Sequence, residues 1–572
     1  MRLKVSRSKN AASLYVTKTV YENNKEHTIT VEKLGTEKEL REKLHGQDPF
    51  EWARDYINEL NEKEKAETRK ILIPFSQSLI ISKDKQFSYN GGYLFLQDIY
   101  HKLGLHKVCK AISSKHFFEY NLDSILSRLI FSRIIFPSSK LATFKLSRRF
   151  LEQPDFELHQ IYRALSVIAE ESDFIQQALY KNSLKLADRK TGVIYYDCTN
   201  FFFEIEQADV EGSRQYGVSK EHRPNPIVQM GMFMDGDGIP LAFCIDPGNT
   251  NEQVTLRPLE KKLISDFSMS RFVVCTDAGL ASTDNRKFNN IGGRSFITTQ
   301  SVKKLKKHLK EWALAPDGWH LAGESCTYDI TKLDNKKDWD KTFFKERWIK
   351  EDDLEQKLIV TYSLKYRDYQ KKIRDGQILR AQKVIDSNPD KIKKCNSNDY
   401  RRLISKYTCT ADGEVAENEF YAINTARIAE EEKYDGYYAV CSNLEDDAPS
   451  IIRVNHRRWE IEECFRIMKS EFEARPAYLS REERIKAHFM TCFIALIIYR
   501  FLEKKLEEQF TCPLIIQTLK DMNFYKVDKE GYIPTYTRTD VTDALHEVFG
   551  FRTDYQINSY SQMKKIFGLT KK

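Results

Sequence analysis

The sequence predicts an α/β fold, a sheet flanked by helices, with a helical region in front of it and a β-containing subdomain inserted into it. Three features lead there. Residues 91–190 repeat apolar side chains at three- and four-residue spacing. Residues 193–300 switch to short extended apolar runs with one helix among them, and another extended run returns at 434–443 after a stretch too long for a plain loop.

In chain order, residues 1–80 open with two predicted strands, SLYVTKTVY and HTITVEKLG, joined by the polar turn ENNK and followed by a charged helix to about residue 70, a small β-module. Residues 81–190 carry the helical segments LFLQDIYHKLGLHKVCKAI, LDSILSRLIFSRIIF and IYRALSVIAEESDFIQQAL, with Lys140, Lys145, Arg148 and Arg149 between them. A basic helical region suits a DNA duplex; a solvated helix face accounts for the same residues. VIYYDCTNFFF (193–203) reads as a buried central strand. PIVQMGMFM (226–234) and IPLAFCI (239–245) flank Asp235-Gly236-Asp237-Gly238, a hairpin turn. EQVTLRPLEKKLI (252–264) is a helix, RFVVCT (271–276) a strand ending at Asp277, and SFITTQ (295–300) a fifth strand. Residues 191–300 and 434–510 thus form one core, interrupted by an insertion at 301–433 with strands in SCTYDITKL, KLIVTYSL and EFYAINTA and a charged helix from Tyr366 to Val384. The core closes with helices over about 449–472 and 482–508, and 511–572 forms a C-terminal region.

Composition narrows the function classes. The 572 residues include 91 basic and 83 acidic side chains, a net charge of +8, a mild excess compatible with a polyanionic partner. A length of this order suggests about three or four domains, and 41% hydrophobic residues exclude a disordered chain. The 11 cysteines stand singly with no C-x-x-C, as reduced thiols of a cytoplasmic protein would. The start MRLKVSRSKN has no apolar signal segment, and the longest apolar run, Phe489 to Tyr499, is about half of what spans a bilayer, so no membrane role is expected. No Walker A loop or H-E-x-x-H is present.

Two carboxylates sit where charge is costly. Asp197 lies among Tyr195, Tyr196 and Phe201 to Phe203, and Asp277 ends the run Phe272, Val273, Val274. A hard divalent cation would compensate them; a solvated strand end would also accommodate each. In RRWEIEECFRIMKSEF, at 100° per residue, Arg458, Glu462 and Lys469 fall at about −40°, 0° and −20°, one narrow stripe beside the apolar face of Ile461, Phe465, Met468 and Phe472. The same residues could simply be i,i+4 ion pairs.

This segment is similar to the signature of bacterial insertion-sequence transposases of the DDE type, the insertion-sequence-four-like group marked by Y-x-x-R-x-x-x-E-x-x-x-x-x-x-K. Arg458, Glu462 and Lys469 match in type and spacing, Asn455 stands where the tyrosine belongs, and Asp197 and Asp277 match the two aspartate motifs, the second as D-A-G-L. The 185 residues from Asp277 to Glu462 (462 minus 277) fit members with an insertion before the glutamate.

The resemblance implies a ribonuclease H-like mixed sheet flanked by helices, with the first and fourth strands side by side. It implies that Asp197, Asp277 and Glu462 are catalytic and hold two Mg²⁺ ions, with Mn²⁺ able to substitute. It implies that Arg458, Lys469 and Asn455 hold phosphates, and that the partners are double-stranded DNA, namely the terminal inverted repeats and the target, with a homodimer bringing two ends together. Members of this group free the element through a hairpin end. The expected activity is therefore cut-and-paste transposition in a bacterial cytoplasm. Lys220, His222 and Arg223, in GVSKEHRPNPIVQ, would lie near substrate phosphate or form a basic surface loop, and KKLKKHLK (303–310) would track a backbone or stay solvated. Trp459 would stack on an unpaired base or anchor its helix in the core, and His488 reads as a core or capping histidine. A ribonuclease H-like nuclease or resolvase without strand transfer, and a non-catalytic DNA-binding derivative, are the competing readings.

Overall fold

The computed structural model describes the chain apart from residues 8–10, 23–24, 45–46, 69–70, 74, 79, 206, 388–398 and 410–414. The turn expected at Asn23 and Asn24 lies outside the described residues. The chain divides into two units, residues 1–85 with 527–530, and residues 86–526 with 531–572.

The first unit is an antiparallel sheet of β1 (Arg2–Arg7), β2 (Ala12–Glu22) and β3 (Lys25–Thr36), followed by α1 (Glu37–Lys43) and α2 (Pro49–Thr68). Its core is small: Leu14, Leu40 and Ala53. The strand at Arg2–Arg7 goes beyond the two expected, because RLKVSR alternates over too few apolar residues to announce itself.

The second unit begins with β4 (Ser88–Asn90) and a helical layer: α3 (Tyr93–Lys102), α4 (Leu105–Lys115), α5 (Leu122–Ile135), α6 (Lys140–Ser147), α7 (Leu158–Glu170) and α8 (Ser172–Ser183). The sheet strands and their first helices follow as β5 (Val193–Phe202), β6 (Ile227–Asp235), β7 (Pro240–Pro247), α9 (Glu252–Asp266), β8 (Val273–Thr276), α10 (Thr283–Phe288) and β9 (Ser295–Gln300). β5, β6 and β7 form the antiparallel meander, and the crossover through α9 returns β8 parallel to β5, so the first and fourth strands of the core lie side by side. β9 is parallel to β8.

The next segment holds α11 (Lys307–Leu314), β10 (Trp319–Leu321), β11 (Thr327–Tyr328), β12 (Phe343–Glu351), β13 (Leu354–Tyr362), α12 (Leu364–Ser387), β14 (Ile404–Cys409), β15 (Val415–Ile423), α13 (Thr425–Glu432) and β16 (Tyr437–Ser442). β10 to β13 do not form a separate sheet: β13 pairs with β16, and β16 with β9, giving one ten-stranded mixed sheet in the order β11-β10-β12-β13-β16-β9-β8-β5-β6-β7. The free edge of β16 is thereby covered. Of the stretch expected as a β-containing insertion, the β14–β15 hairpin forms its own two-stranded sheet.

The chain closes with α14 (Ala448–His456), α15 (Trp459–Arg466), α16 (Glu482–Lys505), α17 (Cys512–Asp521), β17 (Asn523–Val527), β18 (Gly531–Pro534), α18 (Asp540–Phe549), β19 (Asn558–Ser559) and α19 (Tyr560–Leu569). β4 pairs with β17 in a second sheet, which ties the end of the chain to the start of the helical layer. α16 packs against α7, α5 and α3. By length and composition it could cross a bilayer, but 94% of its apolar window is buried within the protein, so it is the core helix of this unit. His488 on α16 is a buried core histidine, its Nε2 lying 3.1 Å from the Ala474 carbonyl oxygen.

A buried polar knot ties the β6–β7 turn to α15 and α16. Arg500 is 4% exposed; its Nε donates to the Gly238 carbonyl at 2.9 Å and its Nη2 to Glu460 Oε2 at 3.2 Å. Gly238 has φ of 73°, and a Cβ there would stand 2.1 Å from Glu460 Oε2 and 2.4 Å from Arg500 Nη2. Gly238→Ala is therefore expected to lose about 1–2 kcal/mol from the left-handed backbone alone, plus the cost of displacing the Arg500–Glu460 pair. A lowered thermal-unfolding midpoint and faster proteolysis would show it; wild-type values would mean that the turn and the pair adjust freely.

Candidate active site

The site starts from strand alternation. Along β5, Tyr196 and Cys198 face α9, where both meet Thr255 Oγ1 (2.7 and 3.2 Å). Tyr195, Asp197, Thr199 and Phe201 therefore face the opposite side, where Tyr195 donates to the Val454 carbonyl of α14 at 3.0 Å and Phe201 packs on Phe489 of α16. Cys275 of β8 faces the same side, toward Asn455 of α14. Since Tyr195 pairs with Cys275 in the parallel register, continuing that register brings Asp277, one residue past β8, level with Asp197 on the face that carries α14 to α16.

Asp277 caps the short 3₁₀ turn Ala278–Leu280, its Oδ1 accepting from the Leu280 amide at 3.1 Å. Asp197 is half-buried within β5 and its Oδ1 accepts from the Cys198 amide at 2.8 Å. Burial, with Asp277 adding repulsion, pushes the Asp197 carboxyl up to about 6 against the pull of Lys220 and Arg458.

α15 brings the third carboxylate. Two glutamates in its first turn divide the work: Glu460 is buried in the Arg500 knot, whereas Glu462, two residues on and about 200° round the helix, is 58% exposed and faces Arg458 Nη2 at 3.3 Å. Arg458 is itself largely buried; burial opposes its charge, and Tyr438, Glu462, Asp197 and Asp277 together hold its pKa raised. It thus links the three carboxylates electrostatically. Their oxygens do not form a ready-made single-ion cage: among the described residues, the groups with ligand atoms all within 4.8 Å of one another are His116 with Glu170 and Glu171, and Asp543 with His546 and Asp554.

The expected single helix over about 449–472 is broken. α14 ends at His456, α15 starts at Trp459, and a π-helical turn, Ile467–Glu471, follows. The π-turn rotates Lys469 less than a uniform α-helix would, so its direction is set by that turn rather than by 100° per residue. Lys469 turns instead to β5, donating to Thr199 Oγ1 at 2.6 Å, with Glu221 at 3.4 Å and the Phe201 ring at 5.4 Å. Burial and nearby Lys220 draw its pKa down to about 8, against the pull of Asp197.

The remaining expected residues divide. Lys220 reaches the Cys198 carbonyl and Glu252 Oε1, the latter at 3.1 Å, which places it beside Asp197. His222 and Arg223 are exposed, Arg223 lying over the Phe202 ring at 4.5 Å. Trp459 is 61% exposed, so it does not anchor its helix in the core. Asn455 is buried, and its Nδ2 donates to the Tyr438 hydroxyl at 3.0 Å. Among the residues that sequence reasoning missed, Thr199 was accessible from alternation two positions past Asp197. Tyr438, Glu221 and Glu252 arrive through long-range packing that spacing does not encode.

No curated protein matches the chain. Among solved structures, a cryo-EM structure of the piggyBac transposase synaptic complex with hairpin DNA is similar at 8% identity and a TM-score of 0.36, over 84% of each chain. The family model described as the transposase DDE domain matches residues 201–498, a span that contains Asp277 and Glu462 and begins four residues after Asp197. That span is more than half of the sequence, and the chain belongs to the transposase DDE-domain family, enzymes that cleave nucleic acid with the help of divalent metal ions.

Proposed function

We propose that this protein is a cut-and-paste DNA transposase of the insertion-sequence-four-like type, acting as a homodimer on the terminal inverted repeats of its own element in a bacterial cytoplasm. The observation that carries the reading is the placement of Asp197 on β5 beside Asp277 at the end of the adjacent parallel β8, with α15 presenting Glu462 through Arg458. The donor set suits a hard divalent cation, Mg²⁺ or Mn²⁺: three carboxylates, and an aspartate whose ionisation is opposed by its surroundings until positive charge arrives. A pair of such ions bound there would supply activation of water or a 3′-hydroxyl and stabilisation of the leaving oxygen.

The chain's own residues do the rest. Asp197 and Asp277 are positioned by strand register and by the Leu280 amide, and Glu462 would leave Arg458 to complete the carboxylate set with them. Arg458 then has its planar fork free for a non-bridging oxygen, and Lys469, steadied by Thr199, supplies a point charge. Trp459, exposed three residues before Glu462, offers a flat face to an unpaired base at a distorted end.

Asp197→Ala, Asp277→Ala and Glu462→Gln are each expected to lower Mg²⁺-dependent cleavage of end-labelled DNA a hundred-fold or more, about 2.7 kcal/mol of barrier, while leaving end binding within a few-fold. Near wild-type cleavage by one variant would remove that residue from the set. Trp459→Ala should weaken binding to ends by about 1–3 kcal/mol with stability unchanged; a fall in the unfolding midpoint with binding intact would make it structural.

The raised Asp197 pKa gives a pH prediction with a definite sign. A folded-state pKa of about 6, above the ordinary aspartate value of 3.8, means that the folded state holds the extra proton between those values, so stability falls as pH rises through that window. In metal-free buffer at pH 8, Asp197→Asn should therefore unfold at a higher temperature than wild type, and Mg²⁺ should stabilise wild type but not the variant. Equal Mg²⁺ stabilisation of both would show that the metal binds elsewhere.

A further inference from the structure

A second concentration of positive charge lies away from the carboxylates. A cavity of about 460 Å³ is lined by Arg133 of α5, Lys140 at the start of α6, Tyr162 of α7, Arg475, and Arg484 and His488 of α16. It adjoins the segment after the π-turn, where Ala477 bridges to Phe203. Phe203 is six residues beyond Asp197 on the same strand line, roughly 20 Å at 3.3 Å per residue, and none of Asp197, Asp277 and Glu462 lines the cavity.

The charges there are poorly compensated. Lys140 is 6% exposed and Arg133 5%. Arg133 donates to backbone carbonyls, of Phe472 at 3.0 Å and Ser138 at 3.0 Å, and its Nε has no partner. Arg484 stacks on the Tyr162 ring at 4.9 Å and its Nε is also without a partner. Among the described residues, Arg133, Lys140 and Arg484 have no carboxylate in ion-pair range. Arg475 pairs with Glu221 outside the cavity, and Glu473 stands exposed at its rim. Burial and Arg133 draw the Lys140 pKa down to about 7, and His488 is held well below its usual value by burial and by both cations.

An unpaired buried cation destabilises a fold, and several facing one cavity do so together. A lysine in that position is explained by an anion that enters. The cavity can hold a phosphate and part of its ester, arginine forks match phosphate oxygens, and the start of α6, Lys140 and Leu141, lines it.

We propose that this cavity is a phosphate-binding site distinct from the carboxylate site, with Lys140, Arg133 and Arg484 as its ligands. The phosphate belongs either to a DNA strand running past the end of β5 or to a free phosphate or nucleotide.

The full chain is titrated with inorganic phosphate at constant ionic strength, with thermal unfolding and ³¹P NMR as readouts. Saturable stabilisation is expected in wild type and in Asp197→Asn. Lys140→Met and Arg484→Gln should bind phosphate about ten-fold or more weakly, while Lys140→Met unfolds no earlier than wild type in phosphate-free buffer. Short duplexes with a 5′-phosphate or a 5′-hydroxyl then identify the source. Displacement of inorganic phosphate by DNA supports a strand phosphate, and its persistence in the presence of DNA supports a free one. Absence of a saturable response, undiminished affinity in both variants, or loss of the response in Asp197→Asn would overturn the site. So would a Lys140→Met protein that is less stable without phosphate yet binds it normally.

Discussion

The architecture depends most on the buried contact of Arg500 with Glu460 and the Gly238 carbonyl. Pairing sets the height of Asp197 and Asp277 within the sheet, but nothing in a sheet fixes the roll of a helix lying across it. The Arg500–Glu460 pair does, from one turn at the end of β6 and from α16, a long buried helix of the unit. With Glu460 held inward, Glu462 has one direction left, outward beside Arg458. An ion pair of this kind adds little net stability once desolvation is counted, but breaking it leaves a stranded charge. Its value here is geometric.

The second constraint is electrostatic. Asp197 is kept in surroundings that resist its ionisation, and Lys469 in surroundings that resist its protonation. Both are costs to the fold that a cation and a phosphate, arriving together, would relieve. The cavity around Lys140 repeats the pattern with one sign of charge only. Neither arrangement is what a sequence selected for stability alone would adopt.

Much of this was legible in advance. SFITTQ and KLIVTYSL are apolar runs that became β9 and the core of β13, and the two aspartates stood out because they interrupt or end such runs. Other features had no local signal. β12, FFKERWIKE, alternates charge with bulk and shows no apolar run, and the pairing of β13 with β16 joins residues about eighty positions apart. The π-turn that redirects Lys469 leaves no mark in spacing. Asn455 was read through its position in a motif, yet its side chain is buried and bonded to Tyr438 of β16. Trp459 could have gone either way by period, and only the packing of α15 turned it to solvent.

The central claim is that Asp197, Asp277 and Glu462 together hold the divalent metal at which DNA is cut. Anomalous diffraction from crystals of the protein bound to its element's end and Mn²⁺ tests it most directly. The account predicts two Mn²⁺ peaks flanking the scissile phosphate, with Asp197 and Asp277 both in contact and Glu462 turned away from Arg458 to reach one of them. Mn²⁺ at the Asp543–His546–Asp554 group or elsewhere, with the scissile phosphate distant from Asp197 and Asp277, would contradict it.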